Sequence, residues 1–281
     1  MPPVVTERCY DPTHRSYSSD STFDACQFRY HAQADMGVAF RPNARMIVGS
    51  TVDAAIMAAL ADEPPLDIEH DLRVRTWDAG LGLLDADIEK ATRLYDLWDS
   101  QVRDTWPDVH SIQPEWHFEV AGVTHHVHPD VVFDDGGITD VKTSEKRLGE
   151  RRVHEDVQLT TYAYGFRREF GETPRWVGLD GLIYANAPSE VQLEAKLLGR
   201  PVPGKPWYDR QRGTRGADTL LALEGDVRRR EAARRFATNT GIWQTNGRAR
   251  FPSECTDCPA IALCPTWVGH DTSKGVILVA A

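Results

Sequence analysis

Residues 128–142, His128-Pro129-Asp130-Val131-Val132-Phe133-Asp134-Asp135-Gly136-Gly137-Ile138-Thr139-Asp140-Val141-Lys142, constrain the fold more than any other stretch of the chain. Val131, Val132 and Phe133 are a short β-branched and aromatic run, Asp134 to Gly137 supply turn chemistry, and Ile138 to Val141 resume extended character. The segment therefore predicts a β-hairpin. Each strand carries one acid, Asp130 near the start of the first and Asp140 near the end of the second. Strand side chains alternate faces, so Asp140 and Lys142 point one way and Val141 the other. Two carboxylates beside a lysine suit a hard, oxygen-seeking divalent cation such as Mg²⁺ or Mn²⁺. A solvated hairpin with acids in its turn would use the same residues.

The flanking segments alternate between helical and extended patterns. Gly49-Ser50-Thr51 opens a predicted helix through about Leu60, with Val52, Ala55, Ile56, Ala59 and Leu60 at helical period and Ser50 or Thr51 as cap. Asp53 then falls in the first turn, where the helix dipole favours a carboxylate. Residues 61–112 are acidic and carry one clear amphipathic helix (Ile88, Ala91, Leu94, Tyr95, Trp98) with no catalytic constellation, a helical insertion covering one side of the core. Glu115 to Val120 alternates as a strand with Glu115, His117 and Glu119 on one face, either a solvent stripe or a polar cleft wall. Val153 to Phe170 predicts a helix stopped by Gly171, with Gln158 and Tyr162 one turn apart, and Trp176 to Ala185 predicts another strand.

A net charge of −10 argues against a polyanionic partner until its distribution is considered. Asp53 to Asp108 holds fourteen acids against five bases, a balance of −9, and Lys196 to Arg250 holds five against thirteen, a balance of +8. The basic part can face a polyanion while the acidic part faces solvent or a partner. Lys205 to Gly216 predicts a loop in which Trp207 and Tyr208 interleave with Arg210, Arg212 and Arg215, a pattern that suits single-stranded nucleic acid or a surface loop. Arg147 and Arg151 lie in a second basic segment after Lys142. The helix predicted over about 217–239 carries Arg228-Arg229-Arg230 and Arg234-Arg235, which line a DNA channel or solvate one face. The longest apolar run, Val276 to Ala281, is far too short to span a bilayer, and residues 1–8 lack the blocks of a secretory signal, so a cytoplasmic protein is expected.

Three of the five cysteines stand within ten residues, as Cys255-x2-Cys258-x5-Cys264. A disulfide framework does not suit a cytoplasmic chain of this size, which leaves metal. The spacing lacks the paired knuckles of a zinc ribbon, and Ile261 and Leu263 suit a buried cluster; iron–sulfur, zinc and no metal stay open on the residues alone. Cys26, on a short helix with Phe23 and Tyr30, reads as a small core residue more readily than as a ligand.

Pro129-Asp130 and Asp140-Val141-Lys142 resemble the PD-(D/E)XK nuclease signature, and the order helix, strand, hairpin, helix, strand resembles the core of that fold. Gly49-x-x-x-Asp53 and Gln158-x-x-x-Tyr162 make the chain similar to the RecB-type iron–sulfur branch found in phages, CRISPR adaptation modules and AddB-type helicase-nucleases, with Asp53 where that branch usually has histidine. The resemblance implies an α/β fold: a restriction-endonuclease-like mixed sheet flanked by helices, a 61–112 insertion, a 113–185 catalytic core, and a 217–267 iron–sulfur lobe closed by Cys26, all in one nuclease domain. It implies Asp130, Asp140, Asp53, the backbone carbonyl of Val141 and, at second rank, Glu115 as ligands of Mg²⁺ or Mn²⁺, with Lys142, Gln158 and Tyr162 completing the catalytic set. It implies Cys26, Cys255, Cys258 and Cys264 around a [4Fe-4S] cluster. The expected function is metal-dependent DNA exonucleolysis at ends or in single strands, in recombination, repair or phage DNA metabolism, alongside a recombination or replication protein. A non-catalytic DNA-binding assembly module and a structure-specific endonuclease are the alternatives.

Overall fold

The computed structural model describes residues 14–38, 42–149, 151–186, 197, 204–245, 258–260 and 263–264; Cys9 and Cys255 lie outside the described residues. In chain order the elements are β1 (His14–Ser16), α1 (Tyr17–Ala25), α2 (Gln27–Ala34), α3 (Ala44–Leu60), α4 (Ile68–Asp78), α5 (Asp85–Leu97), a π turn (Trp98–Val102) and a 3₁₀ turn (Arg103–Thr105). There follow β2 (Val109–Ile112), β3 (Trp116–Val120), β4 (Val123–Val127), β5 (Val131–Phe133), β6 (Gly137–Ser144), α6 (Arg152–Glu155), α7 (Val157–Phe170), β7 (Trp176–Asn186), β8 (Gly204–Gly213) and α8 (Ala217–Thr240). The chain divides into two compact units, one of Met1–Arg41, His117–Val127 and Asp218–Ala281, the other of Pro42–Trp116 and His128–Ala217.

The second unit is built on a five-stranded mixed sheet in the order β2-β5-β6-β7-β8. The predicted hairpin forms: β5 and β6 pair antiparallel with Val131 opposite Thr139 and Val132 opposite Ile138. Gly136, at φ +79°, takes the left-handed turn position that a side chain would resist. β6 runs parallel to β7, which requires a crossover, and α6 and α7 supply it. The helix predicted over 153–170 is broken in two at Asp156, whose side chain caps α7 by accepting from the Leu159 N–H. Gly171 ends α7 at φ +80° as expected. Val52 and Ile56 of α3, Leu94 of α5, Trp98, Val131, Val141 and Leu182 form the apolar core that joins helices to sheet.

Three further elements differ from the sequence reading. α3 starts at Ala44, where Asn43 accepts from the Met46 N–H and Ile47 and Val48 extend the buried stripe, so Asp53 sits in the third turn and not the first. Residues 61–112 hold two α-helices; α4 buries only Leu72 and Thr76, which leaves no apolar stripe to read. The loop predicted over 205–216 is mostly strand, because β8 pairs antiparallel along β7 with Tyr208 opposite Leu182, Arg210 opposite Asp180 and Arg212 opposite Gly178.

In the first unit β4 lies between β1 and β3, and β1 and β4 are parallel. Its interior is charged: Arg234 is packed over the Phe23 and Tyr30 rings at 4.4 and 4.9 Å, pairs with Asp20 at 2.7 Å and also pairs with Glu231. Arg15 holds Glu231 at 3.0 Å. His125 is buried and stacked on Phe118, and that burial lowers its pKa. Among the described residues no helix is long and apolar enough to cross a membrane.

Candidate active site

The hairpin aims Asp130 and Asp140 at one place. Asp130 follows His128-Pro129 at the entry to β5, and its carboxylate accepts the Val141 N–H across the hairpin at 2.7 Å. Asp140, 1 % exposed on β6, shares a strand face with Lys142 as the alternation predicts, and the amine lies 2.6 Å from its Oδ2. From α7, Gln158 Oε1 accepts from Lys142 Nζ at 3.1 Å, Gln158 Nε2 donates to the Tyr162 hydroxyl at 2.5 Å, and Tyr162 donates to Asp140 Oδ1 at 3.4 Å. The four-residue spacing of Gln158 and Tyr162 puts both on the helix face that meets the site.

Asp53 arrives from α3, and a glycine one turn earlier makes its approach possible. A Cβ on Gly49 would stand 2.7 Å from Thr143 Oγ1 of β6, closer than real atoms pack, so only glycine lets the helix lie this close to the strand. Gln113 Nε2 donates to Asp53 Oδ2 at 3.3 Å, and Gln113 N donates to the Asp130 carbonyl at 2.9 Å. Gln113 adopts φ +43°, a left-handed conformation rare for a side-chain-bearing residue and common where function holds strain in place. Sequence reading missed Gln113 because a backbone angle leaves no mark on composition or period.

The electrostatics are those of crowded carboxylates. Burial, then the charge of Asp140, raises Asp53 from 3.8 to about 6. Burial, then Asp140 and Asp53, pushes Asp130 well above the usual carboxylate range. Burial also raises Asp140, against the opposing pull of Lys142. For Lys142 burial disfavours the charged amine, but Asp140 and Asp130 outweigh it and its pKa is raised. Burial keeps Tyr162 a neutral donor. Among the described residues, Asp53 Oδ1 is buried without a hydrogen-bond partner. Three hard oxygen ligands, mutually repelling and with one lone pair set unanswered, fit a divalent cation.

The other assigned residues scatter. Glu115 stands exposed immediately before β3. Arg215, expected on a surface loop, is buried and donates to Thr160 Oγ1 at 2.8 Å and to the carbonyls of Val153 and Asp156 at 2.7 and 3.1 Å, tying α6 and α7 to the end of β8. Arg210 is engaged by Asp180 at 3.0 Å, within a buried set that includes Tyr208 and Thr139. Strand alternation thus puts Tyr208, Arg210 and Arg212 on one face of β8 and Trp207 on the other, and Tyr208 and Arg210 meet on Asp180. Arg212 stays exposed with its guanidinium 4.1 Å from the Trp176 ring centroid, Arg147 is 3.7 Å from Asp209, and Arg151 is exposed. On α8, Arg234 is buried, Arg230 pairs with Asp20 and Asp24, Arg228 with Glu224 and Arg229 with Asp226.

Two of the described cysteines are placed by packing. Cys26 separates α1 from α2 and caps the latter, its Sγ accepting from the Arg29 N–H at 3.4 Å. Cys258 and Leu263 pack, with Phe28, against Ala32, Val38 and Ala260, so the segment around Cys258 meets α2 within one unit. Cys264 is half-buried.

No curated protein matches this chain. A crystal structure from Eubacterium rectale, named as a candidate exonuclease, is 15 % identical, covers 88 % of this chain and 89 % of its own, and superposes with a TM-score of 0.55, a likeness of fold. The crystal structure of SSO0001 is 12 % identical over 92 % of this chain and 89 % of its own, with a TM-score of 0.41. The profile of the PD-(D/E)XK nuclease superfamily matches residues 14–265, a span that contains the hairpin, α3, α7 and every carboxylate of the site, and this chain belongs to that superfamily.

Proposed function

We propose that the protein is a divalent-metal-dependent deoxyribonuclease that removes nucleotides from DNA ends or single strands, in recombination, repair or phage DNA metabolism. The observation that carries this reading is the meeting of Asp53, Asp130 and Asp140 from three elements around Lys142, itself held by Asp140 and Gln158. Mg²⁺ or Mn²⁺, held by the three carboxylates and the Val141 carbonyl, would supply an activated water and neutralise charge on the phosphate. In the metal-free site Asp140 and Asp130 outweigh burial and raise the pKa of Lys142, which favours the charged, hydrogen-bond-donating amine there. Its part is to orient the water and to stabilise the negative charge that grows on the phosphate. Tyr162 and Gln158 lock the amine and Asp140 in one arrangement, so little reorganisation is needed during reaction.

The same reading gives Cys26, Cys255, Cys258 and Cys264 to a [4Fe-4S] cluster. Cys26 at the N-terminus of α2 is placed where the helix dipole favours a thiolate, and Cys258 packs against the same helix. Hydrolysis requires no electron transfer, so the cluster's role is to join the two ends of the chain.

The test is cleavage of labelled duplex, single-stranded and circular DNA with Mn²⁺, with and without chelator. Asp140→Ala and Lys142→Ala should each lose at least about 10²-fold in rate while keeping DNA affinity. Cutting at the wild-type rate by either variant overturns the assignment, and discrete bands from circular DNA would replace the exonuclease with an endonuclease.

A further inference from the structure

Arg75 lies on α4, in the region where the sequence offers no catalytic pattern. Its Nε donates to Asp71 Oδ2 at 2.6 Å, one helical turn earlier. The same carboxylate accepts from Thr51 Oγ1 at 2.7 Å, and Thr51 is fully buried on α3, two residues before Asp53. One nitrogen of the guanidinium is thereby anchored to the helix that carries a carboxylate of the site. The terminal nitrogens Nη1 and Nη2 form no hydrogen bond or ion pair among the described residues, and the side chain is 41 % exposed.

Arg147 and Arg152 also offer Nε to a carboxylate, but at 3.7 and 3.8 Å, too long for a hydrogen bond, and three further arginines of this unit are engaged differently. Arg73 uses both Nε and Nη2 on Glu69, Arg210 uses all three nitrogens on Asp180, Tyr208 and Thr105, and Arg215 is buried on carbonyls. Arg75 alone of these is clamped by Nε with its terminal fork open. Two N–H-bearing nitrogens in a rigid plane match two oxygens of a phosphate, and a fork already oriented loses less freedom on binding than a free arginine does. The positive charge also reaches the carboxylate cluster, since it favours the ionised form of Asp53. A polyanionic substrate approaching three carboxylates needs a cation within electrostatic reach of them, and Arg75 is one.

We propose that Arg75 binds a phosphate of the nucleic-acid substrate through Nη1 and Nη2, with Asp71 and Thr51 as positioning residues, an assignment that rests on the nuclease reading above. The phosphate is either an internal diester or the monoester of a chain end, and the two are separable by experiment. Binding of fluorescent single strands would be measured by anisotropy in an Asp140→Asn background, with and without Arg75→Ala, over a range of salt, using 5′-phosphorylated, 5′-hydroxyl and 3′-phosphorylated ends. Cleavage kinetics of Arg75→Ala, Arg75→Lys and Thr51→Val would be measured with Asp140 intact.

Arg75→Ala is expected to weaken binding and raise KM about 10-fold or more, and to lower the slope of log K against log salt by about 1. Arg75→Lys should recover little of this, because an ammonium cannot bind two oxygens in one plane. Thr51→Val keeps the charge and loosens the anchor, so it should raise KM less than Arg75→Ala and leave the salt slope unchanged. A loss confined to phosphorylated ends assigns the terminal monoester; an equal loss on all ends assigns an internal diester. Wild-type KM, affinity and salt slope in Arg75→Ala overturn the proposal while cleavage by the wild type leaves the nuclease reading standing. A wild type that cleaves nothing, with Arg75→Ala still weakening binding, overturns the nuclease reading alone, and a protein that binds no oligonucleotide overturns both.

Discussion

Asp53 shows what the site costs the fold. Its pKa stands at about 6 in the folded chain, raised by burial and then by Asp140, against 3.8 for an unperturbed carboxyl. Between those values the folded protein binds more protons than the unfolded one, so this group's contribution falls as pH rises through the window and is fully unfavourable above it. The penalty for a shift of this size is at most about 3 kcal/mol. In metal-free buffer at pH 7.5, Asp53→Asn should therefore melt a few degrees above wild type, and the two curves should merge near pH 4. Adding Mg²⁺ should raise the wild type more than the variant, because the cation binds only the folded site. A variant less stable than wild type at pH 7.5 would show that Asp53 holds structure through a contact other than charge. Asp130, Asp140 and Lys142 were legible as single residues because strand alternation alone fixes which of them share a face. Arg75 was not: Asp71-x-x-x-Arg75 reads as an ordinary surface pair, and only the Thr51 contact shows the carboxylate pinned from below.

Among the elements, the fit of α3 against β6 decides whether Asp53 reaches the site. Helix propensity by itself says that Gly49→Ala should stabilise the protein by about 1 kcal/mol. The new Cβ would instead meet Thr143 Oγ1, on a β-branched side chain with little rotamer freedom, and push the helix from the strand. A displacement near 1 Å would lower kcat about 10²-fold, and pairing Gly49→Ala with Thr143→Ala should restore much of it by removing the obstructing oxygen. Kinetics and melting of the single and double variants check this; a single variant that is both more stable and fully active refutes it. The helix was recognised from its apolar period, yet its start was misplaced because Asn43 was not read as a cap. β8 was taken for a loop because Trp207, Tyr208 and three arginines look like a solvent-facing segment, whereas its alternation puts Tyr208 and Arg210 on one face, Tyr208 partly buried against the apolar core and Arg210 on the buried Asp180.

Across the whole molecule, basic sequence and basic surface turn out to be different things. The Lys196–Arg250 segment that balances at +8 spends Arg234 inside the first unit, Arg215 and Arg210 inside the second, and most α8 arginines on neighbouring acids. On the proposed function, attraction of a polyanion would rest on fewer groups, with Arg75, Arg151 and Arg212 foremost. The iron–sulfur proposal also belongs to this scale, since it joins residues from both ends of the chain. Protein purified without oxygen should be brown, Cys26→Ser and Cys258→Ala should lose the visible absorbance and fold poorly, and Cys9→Ser should keep both. Unchanged absorbance in Cys26→Ser would give the fourth ligand position to another residue.

The sequence by itself determined the hairpin with its paired acids, the shared face of Asp140 and Lys142, the Gln158–Tyr162 step and the stop at Gly171, because turn chemistry and strand or helix period act within a few residues. Tertiary structure decided that Asp53 would complete the site through the Gly49 contact, that Gln113 would brace it, that Arg210 and Arg215 would be neutralised or buried, and that the Arg75 fork would be left open. Those outcomes depend on which side chains distant segments bring together, and desolvation and charge pairing then reward or penalise each meeting in ways no local pattern records.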